Sequence, residues 1–127
     1  MSFVAKKSVT VTTAADETAT AYLPAAMPVL NGLLDRILYT KIDFADGVDF
    51  AITLESTGET LWAQEDVNAS AVVAPRQATH DTAGVAALYA AVGQAVRDRI
   101  GISNDRIKIV IAAGGVAKRG TFTVVLV

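Results

Sequence analysis

The sequence predicts a mainly β chain: a two-sheet antiparallel β-sandwich, jelly-roll-like, with a helix or helical loop around residues 83–100. Three observations carry that expectation. Short runs alternate apolar and polar residues with period two, the pattern of half-buried strands. Turn residues, among them Asp46-Gly47 and Thr57-Gly58, punctuate these runs at short intervals. The composition, 52% hydrophobic and 19% charged over 127 residues, excludes a disordered chain and suits one domain with a buried core. Residues 1–7 are expected to form a flexible N-terminal arm, and 8–127 a single β-sandwich domain.

The elements follow in chain order. "SVTVTT" puts Val9 and Val11 on one face and Ser8, Thr10 and Thr12 on the other. "AADE" supplies a polar turn, and "TATAYLP" alternates through Ala19, Ala21 and Leu23, so the two runs are expected to form an N-terminal hairpin. Pro24 and Pro28 bracket an irregular connection ending near Asn31-Gly32. In "LLDRILYTKID", Ile37 and Tyr39 lie opposite Leu38 and Thr40, and its β-branched and aromatic residues favour a strand. "VDFAITLES" alternates through Val48, Phe50, Ile52 and Leu54, and Asp46-Gly47 before it is a hairpin signal. After Thr57-Gly58, "ETLWAQEDV" alternates Leu61 and Ala63 against Trp62.

At the end of the chain, "RIKIVIAAGG" places Ile107, Ile109 and Ile111 on one face, and "GTFTVVLV" does so with Phe122, Val124 and Leu126. The glycine-rich "AAGGVAKRG" is predicted to join them as a terminal hairpin, with Gly114, Gly115 and Gly120 available for positive φ. Between these regions, "TAGVAALYAAVGQAVRDRIG" carries Val85, Leu88, Tyr89, Val92, Val96 and Ile100 at helical spacing. Asp81 or Thr82 could cap its start and Gly101 its end. Gly84 and Gly93 weaken a helix, and "AVRDRIGI" also alternates through Val96, Ile100 and Ile102. One long helix and a helical loop followed by a strand both fit; the second supplies an eighth strand to complete two sheets.

Composition narrows function. A net charge of −2 gives no basic face for nucleic acid. The chain has no cysteine and one histidine, which excludes disulfides, thiolate catalysis, cysteine-based metal sites and a multi-histidine site within one chain. Lys6 and Lys7 interrupt any signal-peptide core, and no apolar run approaches the roughly 20 residues that span a bilayer. The expectation is a soluble protein made in the cytoplasm, binding neither nucleic acid nor membrane.

"DFADGVDF" concentrates Asp43, Asp46 and Asp49. A calcium loop begun at Asp43 would need a bidentate acid at its twelfth residue, where Leu54 stands. A turn is the better reading. As a glycosidase pair the carboxylates lack aromatic sugar platforms beside them. His80, next to Asp81, could act as a base towards Ser70 or Ser103, but no nucleophile-elbow pattern accompanies it. "AAGGVAKRG" lacks the order of a phosphate loop and precedes a strand. No catalytic, cofactor or metal residue is therefore assigned, and no enzyme activity is expected. Candidate protein contacts are Phe3 and Val4 with Lys6 and Lys7 in the N-terminal arm, and Lys118 and Arg119 at the hairpin tip.

The run "YTKIDFADGVDFAITLESTGETLW…VNASAVVAPRQATH", followed by "NDRIKIVIAAGGVAKRGTFTVVLV", resembles a group of small tailed-bacteriophage proteins found among head-morphogenesis components. The resemblance implies a virion structural role, as a capsid decoration or cement (minor capsid) protein bound to the major capsid protein of the head. Such a protein would act by burying surface between subunits, as a homo-oligomer, dimer or trimer. A head–tail joining or tail structural protein is the alternative within that resemblance. Outside it stands a β-sandwich carbohydrate-binding or adhesion module, with Trp62 and Tyr89 as stacking platforms.

Overall fold

The computed structural model describes residues 4–25 and 29–127, and these form ten β-strands and no helix. They are β1 (Ala5–Thr12), β2 (Ala19–Leu23), β3 (Leu30–Lys41), β4 (Val48–Leu54), β5 (Thr60–Val67), β6 (Ala71–Val73), β7 (Arg76–Ala78), β8 (Arg97–Asp105), β9 (Ile107–Ala112) and β10 (Arg119–Leu126). A six-stranded sheet runs β1-β10-β3-β8-β7, with β6 also paired to β3; a four-stranded sheet runs β2-β9-β4-β5. Every pairing is antiparallel. The two sheets pack face to face as a β-sandwich.

The inward faces are those the alternation predicts. Val48, Phe50, Ile52 and Leu54 of β4 are buried, as are Ile107, Ile109 and Ile111 of β9 and Phe122, Val124 and Leu126 of β10. At the centre, Tyr39 and Phe122 of one sheet meet Phe50 of the other at ring-centroid distances of 5.3 and 5.2 Å. Each such apolar side chain contributes about 1.5–3 kcal/mol by leaving water.

The connections differ from expectation. β1 and β2 lie in different sheets, and so do β3 and β4, and β9 and β10. The predicted N-terminal and terminal hairpins, and the hairpin expected at Asp46-Gly47, are therefore arches crossing from sheet to sheet. Each spans six residues, 13–18, 42–47 and 113–118. Their cores explain why. Phe44 in the second arch is fully buried, and Thr13 in the first donates through Oγ1 to the Gly115 carbonyl in the third (2.5 Å). A hairpin would have left Phe44 in solvent. Only the five-residue turn 55–59 closes a true hairpin of the expected kind, β4–β5, where Gly58 takes a positive φ of 76° and its N–H bonds to the Leu54 carbonyl.

The glycines of the third arch also do different work than predicted. Gly115 alone of the three has a positive φ. Gly120 is needed for space, because a Cβ there would sit 2.6 Å from Phe44 Cδ2 and 3.0 Å from Tyr39 Cε1.

Of four register shifts among the described strands, two explain the burial patterns of β3 and β5. The β10–β3 register passes from Val125↔Arg36 to Leu126↔Leu34, leaving Asp35 as the extra residue. Inward positions on β3 accordingly shift from Leu34 to Ile37 and Tyr39. In β5 the register passes from Ile52↔Trp62 to Thr53↔Thr60, so Leu61 is the extra residue. Both Leu61 and Trp62 are thereby buried, against the simple alternation expected there.

β8 and β9 are separated by Arg106 alone, so the chain changes sheets within one residue. Asp105 secures this corner. Its carboxylate accepts from Ser56 N (3.1 Å), Ser56 Oγ (2.6 Å) and Arg106 N (2.8 Å). Burial opposes its ionisation, but these three hydrogen bonds outweigh burial and hold the carboxyl below the ordinary aspartate range.

Candidate functional site

The sequence-predicted residues are dispersed. Asp43 accepts from the Arg119 backbone N–H, Asp46 pairs with Lys41 Nζ, and Asp49 accepts from the Asp66 N–H at 2.9 Å. Each carboxylate thus secures its own corner, and no group of three or more His, Cys, Asp or Glu forms a metal cluster among the described residues. Asp46-Gly47 is a turn, with Gly47 at φ 84°, but a turn within an arch. His80 pairs through its backbone with Ala86, Asp81 Oδ1 accepts from Ala83 N and Val85 N, and Ser70 Oγ accepts from Lys41 N. Among the described residues, no hydrogen bond joins His80 to a serine.

The contact candidates stand at two separate ends. Lys6 and Lys7 lie opposite Val125 and Val124, whereas Thr12 lies opposite Arg119. Six residues of strand, roughly 20 Å, separate the two cationic pairs. Phe3 lies outside the described residues. Val4 is exposed, and β1 begins at Ala5, so Lys6 and Lys7 sit in a strand inside the segment expected to be an arm. Trp62 is only 8% exposed and packs edge-on against Phe50 (4.7 Å between centroids), donating through Nε1 to Gln64 Oε1. It is a core side chain and offers no platform for a sugar.

The feature that does reach outward was missed by residue-level reasoning. β3 forks at the Asp35 bulge: β8 pairs with Leu30–Leu34 and then leaves, while β6 pairs with Ile37–Tyr39 in its place. The departing β8 pairs with β7 as a two-stranded ribbon. Asp35 pins the fork. Its carboxylate accepts from Arg99 Nε (3.3 Å) and lies 3.8 Å from Arg76 Nη2, and its carbonyl accepts from Arg76 Nη1 (3.0 Å).

Residues 79–96 continue the ribbon into a folded tip. The Val96 carbonyl accepts from both the N–H and Oγ1 of Thr79 (2.8 Å each), Ala87 N–H donates to Thr79, and Val96 N–H donates to Ala87. Isolated bridges His80↔Ala86 and Leu88↔Ala95 close two tight turns. Neither of these is a helix, although β8 is the strand that the second sequence reading placed after this segment. The helical spacing of Val85, Leu88, Tyr89 and Val92 is realised as exposure: 61%, 41%, 75% and 98% respectively. The signal was present. Residues 82–96 contain no Asp, Glu, Lys or Arg, so a surface helix here would have had no charged outer face.

A second surface lies on the outer face of the four-stranded sheet. Ala51 stands between Ala63 and Val110, and Asp49 opposite Ala112. These small side chains line an open concavity of about 410 Å³, together with Asp49 and Glu65. No protein-family model matches this chain, and no curated protein or solved structure matches it either.

Proposed function

We propose that this chain is a structural protein of a tailed-bacteriophage virion, a decoration or cement protein that binds the major capsid protein of the head and stabilises the shell as a homo-oligomer. One observation carries the reading: an apolar tip, uncharged over residues 82–96 and raised on a pinned ribbon, with nothing among the described residues covering it. Exposed apolar surface of this kind marks a protein contact. The phage-specific part rests on the resemblance of the residues after about 35. The contact candidates Val4, Lys6, Lys7, Lys118 and Arg119 would serve the shell, and a head–tail joining or tail position remains the alternative.

The test is co-sedimentation of purified protein with empty phage heads. Stoichiometric binding is expected, reduced by Lys118→Ala/Arg119→Ala or by Lys6→Glu/Lys7→Glu. Substitution is preferable to deleting residues 1–7, which would remove three residues of β1. Protein that stays in the supernatant at every ratio would sink the reading. The carbohydrate-module reading loses Trp62 to the core and retains only Tyr89.

A further inference from the structure

We propose that the arm formed by the β7–β8 ribbon and residues 79–96 of one copy seats its apolar tip in the concave outer face of the four-stranded sheet of a second copy. This deepens the oligomeric part of the reading above and rests on it only there. Arm and floor belong to opposite sheets of the sandwich, and no described residue of the same copy covers either.

The two surfaces complement each other in three respects. In shape, a convex tip ending in Tyr89 and Val92 faces a hollow floored by Ala51, Ala63 and Val110, whose small side chains leave room for large ones. In volume, about 410 Å³ accommodates an aromatic and one or two aliphatic side chains. In charge, residues 82–96 of the tip carry none, so they can enter the hollow without burying an ion, while Arg97, at the tip end of the ribbon opposite Ala78, suits Asp49 and Glu65 in its lining. Arg97 and Glu65 have no ion-pair partner among the described residues.

Area decides the arrangement. Val85, Leu88, Tyr89 and Val92 together expose on the order of 500 Å². One arm in one floor then buries at most roughly 1,000 Å² over both partners, with Tyr89 and Val92 in the hollow and Val85 and Leu88 against its surround, below the range of stable complexes. Each copy has one arm and one floor, so a reciprocal dimer puts two such contacts in one interface of up to roughly 2,000 Å², within that range, whereas in a closed ring each pairwise interface stays at roughly 1,000 Å². An open chain would leave one arm bare at its end.

The experiment is solution mass by light scattering, without heads, so that self-association and head binding fail separately. The unsubstituted chain is expected to form one discrete oligomer. Tyr89→Ser/Val92→Ser disables the arm and Ala63→Glu the floor, with Val110→Glu as a second floor variant; circular dichroism melts confirm that each is folded. Each variant alone is expected to be a monomer, and an equimolar mixture of arm and floor variants is expected to gain mass only at concentrations well above those at which the unsubstituted chain associates, since one good arm meets one good floor through a single contact. A monomeric unsubstituted chain overturns the proposal. So do folded floor variants that stay oligomeric while the arm variant does not, which would mean arm-to-arm pairing, and so does a mixture that gains no more mass at high concentration than either variant alone.

Discussion

Tyr39 offers the sharpest test of the packing described above. Its ring is 1% exposed and lies among Phe44, Phe50 and Phe122, and its hydroxyl has no hydrogen-bond partner among the described residues. A buried unpaired hydroxyl costs about 1–3 kcal/mol relative to water. Removing one oxygen as Tyr39→Phe leaves a void of roughly 10 Å³, worth about 0.2 kcal/mol at the usual cavity coefficient. The desolvation term wins, and the variant is expected to be more stable by about 1–2 kcal/mol. For 127 residues the unfolding entropy near Tm is about 0.27 kcal/mol/K, so calorimetry should read a rise of about 4–7 °C.

The same hydroxyl sets an alkaline limit. Burial pushes the Tyr39 phenol from 10.0 up to about 12. Below pH 10 neither state ionises it. Between 10 and 12 the unfolded chain loses this proton and the folded chain does not, so stability falls with rising pH, by about 2 kcal/mol across the window. Denaturant melts at pH 8, 10 and 11.5 should show that the stability gap between Tyr39→Phe and the unsubstituted chain widens with pH. A variant less stable than its parent, or a constant gap, would refute the reasoning and mean that the hydroxyl is hydrogen-bonded in the folded protein.

Three further outcomes are expected. Gly120→Ala drives a methyl into Phe44 and Tyr39 and should destabilise by about 3 kcal/mol, read as a lower urea midpoint. Asp105→Ala removes three hydrogen bonds at the corner between β8 and β9 and should cost about 2–3 kcal/mol at pH 7. Because the folded carboxyl titrates below its unfolded value of 3.8, its contribution is complete above that pH and lost as pH falls through the folded value, so the variant's deficit should shrink in acid melts. Val92→Ser, at a residue 98% exposed, should change the stability of the isolated chain by less than about 0.5 kcal/mol, whereas Val124→Ser in the core should cost several times that in the same melts.

Period-two alternation determined which residues are strands and which of their faces point inward, from Val11 through Ile107, Ile109 and Ile111 to Leu126. That follows because burying an apolar face requires only that the face exist. Alternation does not name the partner strand. An inward-facing Ile111 and an inward-facing Phe122 look the same whether their strands pair side by side or face each other across the core, and tertiary packing chose the second. The clues were slight: six-residue connections are long for hairpins, and Phe44 is a costly residue to leave in a surface turn. The bulges at Asp35 and Leu61 were hidden for a related reason, since an extra residue opposes a strand that only the sheet supplies. Residues 79–96 were the reverse case. Their spacing invited a helix, but a helix needs a core to bury its stripe against, and β8 left the sheet at Asp35 without providing one. What remained was an apolar segment folded on itself and turned outward. Local sequence determined the strands; the pairing of distant segments decided which surface the protein presents.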